Sequence, residues 1–121
     1  MSTWQEFVAE LTRCDVLSSS RRLALEEWGE DIPPTVLFGK LGKALADHVE
    51  ELDPETRAHI FQVIEGGLAR NNAALKAFVA TGLLEALYLR ASGDPGHWNQ
   101  VRDYLGPLSI AYLVRWGKLH Q

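Results

Sequence analysis

Residues 72–90 read NAALKAFVATGLLEALYLR, and this stretch decides the fold class. Its apolar residues recur at intervals of three and four, which is the spacing of one face of an α-helix. The positions on that face are Leu75, Phe78, Val79, Leu83, Ala86 and Leu87. Asn71-Asn72 precedes them and supplies the side-chain type that caps a helix N-terminus. Because this stretch is the most apolar in the chain, it predicts a central helix.

Helical spacing continues on both sides of the central stretch, and no segment alternates apolar and polar residues as a strand does. The predicted boundaries are a capping box at Thr3 and Glu6, a cap at Ser18-Ser19-Ser20, a stop at Gly29, and new starts after Pro33-Pro34, at Asp53-Pro54 and at Gly106-Pro107. We therefore predict an all-α fold with six or seven helices, packed as antiparallel helical hairpins in a bundle or a short stack of helix pairs. Residues 1–121 form a single domain in this interpretation.

Two glycines interrupt the helix predicted after Pro34. Gly39 and Gly42 each lower its helix propensity by about 1 kcal/mol relative to alanine. A glycine offers no side chain, so we expect another helix to approach closely at this point.

The size and cysteine content restrict the class of protein. The chain has 121 residues and one cysteine, Cys14, so it forms no intramolecular disulfide. It has no apolar run of the roughly 20 residues that cross a bilayer, and its start lacks the features of a secretory signal. We therefore expect a cytoplasmic protein without a membrane segment.

The charge is distributed unevenly. Residues 26–55 contain nine acidic and two basic side chains, a net charge of −7, whereas residues 56–121 carry +3. An acidic block disfavours nucleic acid, because phosphate binding needs clustered lysine and arginine. It favours a basic protein partner instead.

The sequence carries no motif for catalysis. The best metal-binding set is Asp47, His48, Glu51, Glu55 and His59. Helical carboxylate-bridged metal sites use paired Glu-x-x-His motifs, and the chain has no Glu-x-x-His. We interpret these residues as solvated charges and a partly buried histidine, and Cys14 as a small core residue. We predict that the protein is not an enzyme and holds no metal and no cofactor.

Trp28 is the most informative tryptophan. It lies at a predicted helix end among acidic residues, and tryptophan is enriched where binding energy concentrates in interfaces. The alternative interpretation is a tryptophan packed over a helix terminus. The predicted partner-binding residues are Trp28, Glu26, Glu27, Glu30, Asp31, Asp47, Glu50 and Glu51.

The second half of the chain carries a family resemblance. It rests on Ile60-Phe61-Gln62-Val63-Ile64-Glu65, Ala80-Thr81-Gly82-Leu83-Leu84-Glu85-Ala86-Leu87, Tyr104-Leu105-Gly106-Pro107-Leu108-Ser109, and then Tyr112 and Trp116. This order, over residues 54–117, resembles a family of small helical bacterial proteins of poorly defined function that occur in polymorphic toxin loci. The resemblance implies family positions at Glu65, Glu85, Gly106, Pro107 and Trp116. We expect these residues to serve the scaffold.

By this resemblance the chain is an immunity protein that binds and neutralises a cognate, basic toxin domain. It binds neither nucleic acid nor a membrane in this hypothesis. A helical protein–protein adaptor module is the alternative, followed by a metal-binding helical bundle. The acidic first half is where we expect partner recognition.

Overall fold

The computed structural model describes residues 3–117, and these residues form seven helices and no strand. The helices are α1 (Trp4–Leu11), α2 (Asp15–Trp28), α3 (Pro34–His48, continued by a 3₁₀ turn over Val49–Glu51), α4 (Pro54–Ala69), α5 (73–91), α6 (Pro95–Tyr104) and α7 (Pro107–Arg115). The all-α prediction is confirmed. Within the described residues, no helix is both long and apolar enough to cross a membrane.

Helix α5 is the centre of the fold, as predicted. Its ends, Ala73–Ala77 and Glu85–Ala91, are α-helical, and the middle, Phe78–Leu84, is π-helical. Asn72 caps it by accepting a hydrogen bond from the Leu75 N–H at 3.1 Å. Apolar spacing does not predict the π-helical turn, because both kinds of helix bring residues three to five apart onto one face.

The packing of α3 against α5 depends on two glycines. A Cβ atom on Gly42 would lie 2.4 Å from the carbonyl oxygen of Leu83, and one on Gly82 would lie 2.7 Å from the Cβ of Phe38. Any larger residue at either position would push the two helices apart. The close approach predicted at Gly42 is thus confirmed, whereas a Cβ on Gly39 would make only an ordinary contact at 3.8 Å.

Most of the predicted helix boundaries are confirmed. The Glu6 N–H donates to Thr3 Oγ1 at 3.2 Å, which is the hydroxyl half of the predicted capping box, and the Thr56 N–H donates to Asp53 at 3.2 Å. Gly29 ends α2 with φ at +86°, a backbone conformation that a residue with a side chain rarely adopts.

The predicted cap at Ser18-Ser19-Ser20 is wrong. Helix α2 begins at Asp15, after an extended Cys14, and the three serines lie inside it. Serine is only moderately unfavourable within a helix, and Leu17 is completely buried against the core. Burial of the inner face of α2 therefore outweighs the preference of serine for helix ends.

The expected scaffold positions join α7 to the rest of the bundle. Glu65 of α4 accepts hydrogen bonds from the N–H groups of Leu108 and Ser109, both at 2.9 Å, and from the Ser109 hydroxyl at 2.6 Å. The Glu65 carboxylate thereby caps α7 from a neighbouring helix. A Cβ atom on Gly106 would lie 2.3 Å from the Glu65 side chain, so glycine leaves room for this cap.

A second polar contact links α5 to α7. The Tyr112 hydroxyl donates a hydrogen bond to Glu85, which is the partner that a carboxylate in an apolar helix requires. Trp116 stacks on Tyr112, with ring centroids 6.5 Å apart. These contacts agree with a scaffold role for Glu85 and Trp116.

Candidate partner-binding surface

The end of α2 forms an exposed acidic corner. Ala24 is buried, and the last turn of the helix places Glu26, Glu27 and Trp28 outside the core. The loop that follows is anchored by Ile32, which is 4% exposed and whose N–H donates to the Gly29 carbonyl at 3.3 Å. Glu30 and Asp31 lie between these two fixed points and face solvent.

Trp28 keeps 49% of its surface exposed and stacks on no other ring among residues 3–117. In the alternative interpretation Trp28 packs over the helix end. The protein covers only about half of the side chain, so this packing leaves the other half exposed. A tryptophan exposed to this extent presents a large apolar surface that a protein partner can bury.

Three of the surrounding carboxylates have no basic partner. In the described part of the chain, no lysine, arginine or histidine lies within 4.0 Å of Glu26, Glu30 or Asp31. The fourth, Glu27, forms an ion pair with Lys40 at 3.3 Å. We call Glu26, Trp28, Glu30 and Asp31 the unpaired corner.

The acidic residues at the end of α3 are different. Asp47 accepts two hydrogen bonds from Arg90, at 2.9 and 3.0 Å, and these bonds with the negative charge of Asp47 raise the pKa of Arg90. Glu51 contacts His48 at 2.7 Å. Glu50 lies 3.5 Å from Nδ1 of His97. We call Asp47, Glu50 and Glu51 the paired cluster.

His97 has a defined proton position in this cluster. Its Nε2 lies 2.6 Å from the Ala46 carbonyl oxygen, which only accepts hydrogen bonds, so Nε2 carries a proton. The contact between Nδ1 and Glu50 is therefore an ion pair only when the ring is doubly protonated.

The predicted partner-binding residues thus fall into two separate groups in space. Helices α2 and α3 run antiparallel, with the Ser20 hydroxyl donating to the Lys40 carbonyl at 3.4 Å. Lys40 faces Glu27, and Asp47 lies seven residues farther along α3, a helical rise of about 10 Å. A cleft of about 400 Å³ runs between Glu27 and Asp47, and Lys40 and Lys43 line it.

The charge count of residues 26–55 includes these two lysines but does not predict their position between the acidic residues. The signal that would have found them is the spacing of Lys40, Lys43 and Asp47, which places all three on one face of α3. The lysines interrupt the acidic surface that the net charge of residues 26–55 suggests.

The predicted metal-binding candidates do not converge. Asp47 and His48 line the cleft between α2 and α3, whereas Glu55 and His59 line another cleft beside α1. His59 contacts Glu10 at 2.8 Å, and hydrogen bonds from Arg13 and then His59 lower the pKa of Glu10. Across residues 3–117, no three histidine, cysteine or acidic side chains are grouped so that they could hold a metal ion.

Cys14 is half-buried and packs against the core, which agrees with its interpretation as a small core residue. It lies between α1 and α2 and lines the same cleft as His59.

The fold and this surface define an all-helical domain with an exposed aromatic and acidic corner. The chain belongs to the family described as a domain of unknown function, DUF7674, whose model matches residues 11–118. No curated protein and no solved structure matches it. The match extends well beyond residues 54–117 and includes the unpaired corner. The family description names no toxin, so the immunity function stays a prediction.

Proposed function

We propose that the chain is an immunity protein that binds a cognate bacterial toxin domain and neutralises it. The resemblance of residues 54–117 supplies the functional class. The observation that carries the proposal is Trp28, which is half exposed at a helix end. In the sequence it stands among Glu26, Glu30 and Asp31, which lack a basic partner within the described residues.

The position of these carboxylates argues against a role in stability. Glu26 and Glu27 lie in the last turn of α2, which contains no basic residue. The helix macrodipole is negative at this end, so the Glu26 carboxylate, which has no basic partner, is destabilising there by a few tenths of a kcal/mol. A surface that weakens its own helix is better explained by an external basic partner.

The unpaired corner also supports a basic partner. Three carboxylates without internal cations attract a surface rich in lysine and arginine, and such attraction accelerates association at low ionic strength. Trp28 supplies the large apolar contact that an interface needs at its centre. We therefore infer a basic toxin domain that encloses Trp28.

The direct test is co-expression with the toxin domain encoded beside this gene. We expect restored growth and a stable one-to-one complex on size-exclusion chromatography. Trp28→Ala should weaken the complex about 30-fold or more, as the loss of an interface hot spot does. Circular dichroism of the variant provides the check that the fold is intact.

A matched pair of charge variants separates the corner from the paired cluster. Glu26→Gln and Glu50→Gln remove the same charge from exposed positions. We expect Glu26→Gln to slow association and to lessen its dependence on salt, and Glu50→Gln to leave both nearly unchanged. Growth that is not rescued, or equal effects of the two variants, would contradict the proposal.

A helical protein–protein adaptor is the second candidate, and two exposed leucines favour it. Leu23 is 59% exposed and lines the cleft between α2 and α3, while Leu89 is 60% exposed and lines the cleft between α3 and α5. Both clefts are grooves between helices, which suit an amphipathic partner helix. Leu23→Ser and Leu89→Ser should abolish adaptor binding but leave toxin binding intact.

A further inference from the structure

An apolar groove lies on α4, away from the unpaired corner. It has a volume of about 530 Å³ and is walled by α4, α6 and the turn before α7. Arg57, Phe61 and Glu65 line it from α4, and Tyr104 and Gly106 line the opposite side. Its size falls within the range of small-molecule sites, which are mostly apolar with a few placed polar groups.

The polar group at one end of the groove is the guanidinium of Arg57, which contacts within the protein hold in position. The Arg57 guanidinium lies 4.4 Å from the centre of the Tyr104 ring, and its Nη1 donates to the Leu52 carbonyl at 3.4 Å. These two contacts hold the planar group in place. No carboxylate among residues 3–117 lies within 4.0 Å of it. An arginine fixed in this way offers its remaining donors to an anion.

The carboxylates nearest along α4 are already engaged. Asp53 accepts from the N–H and hydroxyl of Thr56, and Glu65 accepts three hydrogen bonds at the start of α7. Glu55 lines a different cleft, with Glu10 and His59. None of them therefore competes for Arg57 as the structure stands.

The rest of the groove presents flat apolar surface. The rings of Phe61 and Tyr104 lie 5.7 Å apart at 37°, so they make one wall of two tilted planes. The groove extends along α4 from Pro54 to Glu65, which is eleven residues and about 16 Å along the helix. One cation at one end and aromatic surface beyond it fit an anion with an apolar tail.

We propose that this groove binds a small monocarboxylate with an aromatic or branched apolar body. The carboxylate pairs with Arg57, and the body packs on Phe61 and Tyr104. A single guanidinium matches one carboxylate in a two-point hydrogen bond. This inference goes beyond the proposed function, because the groove and Trp28 lie on different helices.

The test uses 4-phenylbutyrate as the probe and 4-phenylbutanamide as its neutral counterpart, with the full chain followed by ¹⁵N–¹H NMR. We expect saturable shifts confined to residues 54–65 and 104–106, with a dissociation constant below about 1 mM. The amide should bind at least about tenfold more weakly, because it cannot form the charge-assisted pair.

Variants of the groove and a matched control complete the experiment. Arg57→Gln should weaken the acid at least about tenfold without changing the amide, and Arg57→Lys should recover part of the loss. Arg70→Gln removes the same charge from the residue after α4, outside the groove, and should have no effect.

Several results would overturn the inference. These are no saturation below 10 mM of the probe, equal binding of acid and amide, shifts centred elsewhere, or normal binding by a folded Arg57→Gln variant. If Arg57→Gln does not fold, the comparison of 4-phenylbutyrate with 4-phenylbutanamide binding to the natural chain still tests the inference. Trp28→Ala should leave probe binding unchanged, so this result and that for the toxin complex are independent.

Discussion

The Glu65 carboxylate of α4 and the Glu85 carboxylate of α5 differ sharply from the carboxylates at the end of α2. Glu65 and Glu85 each meet a donor from α7, and both are partly buried. Glu26, Glu30 and Asp31 are exposed and have no basic partner in the described chain. The first pair joins helices together, whereas the second group contributes nothing to folding that the structure reveals.

This comparison separates the carboxylates that stabilise the fold from those that remain available to bind a partner. The paired cluster of Asp47, Glu50 and Glu51 is intermediate, because its members are exposed but lie within 4.0 Å of Arg90 or of a histidine ring nitrogen. Stability measurements on variants of the three groups should therefore fall in a definite order.

Glu65→Ala should have the largest effect. It removes three hydrogen bonds to the start of α7, one of them from Ser109, which is 1% exposed. We expect a loss of about 2–3 kcal/mol in the free energy of unfolding in urea, from the lost cap and the unsatisfied donors. Glu65→Gln keeps one acceptor and should lose less. Equal stability of Glu65→Ala and the natural chain would remove the distinction between the two groups.

Tyr112→Phe should come next, with a loss of about 1 kcal/mol at neutral pH from the broken bond to Glu85. Burial, followed by the hydrogen bond to Glu85, raises the pKa of Tyr112 above its ordinary 10.0. The protonated phenol is thus the form that the fold favours. Its contribution is complete below pH 10 and is lost as the pH rises through the folded-state pKa.

Urea unfolding also checks the predicted loss of stability at high pH. Urea midpoints recorded from pH 8 to pH 11 should fall more steeply at the top of the range for the natural chain than for Tyr112→Phe. Parallel curves would show that Tyr112 does not titrate differently in the folded and unfolded states.

Asp47→Asn should have a smaller effect than Tyr112→Phe. It weakens the exposed ion pair with Arg90, and exposed pairs contribute little because solvent and salt screen them. The urea midpoint should move slightly downward at low salt, and the shift should shrink in 1 M sodium chloride. A shift that persists at high salt would indicate a packing change instead of a charge effect.

Glu26→Gln should give the smallest change, with the opposite sign. Removal of a negative charge from the last turn of α2 should stabilise the protein by about 0.3 kcal/mol at low salt. Thermal melting of the two proteins side by side measures it. Destabilisation by this variant would mean that the unpaired corner serves the fold after all.

Much of the fold was predictable from the sequence because it depends on local rules. The apolar spacing of residues 72–90 identified the central helix, and Thr3, Gly29 and Asp53 marked helix ends through their own backbone and side-chain chemistry. The start of α2 was misplaced, because burial of Leu17 is a tertiary effect that a run of serines conceals.

The candidate surface was predictable only in part. The exposure of Trp28 agrees with its place among acidic residues, but the division of the acidic block depends on contacts across the chain. The pairing of Asp47 with Arg90 joins residues 43 positions apart. The contact between Arg57 and Tyr104 likewise joins two helices, so spacing along one helix does not indicate it.

The π-helical middle of α5 has a consequence for chain length. A π-helical turn holds about one residue more than an α-helical turn of the same span. Deletion of one residue within Phe78–Leu84, other than Gly82, would therefore return α5 to regular α-helix, while Leu75 and Leu87 keep their present faces. A chain that lacks one residue in the middle of α5 should thus still form this fold, although α5 is the most buried helix.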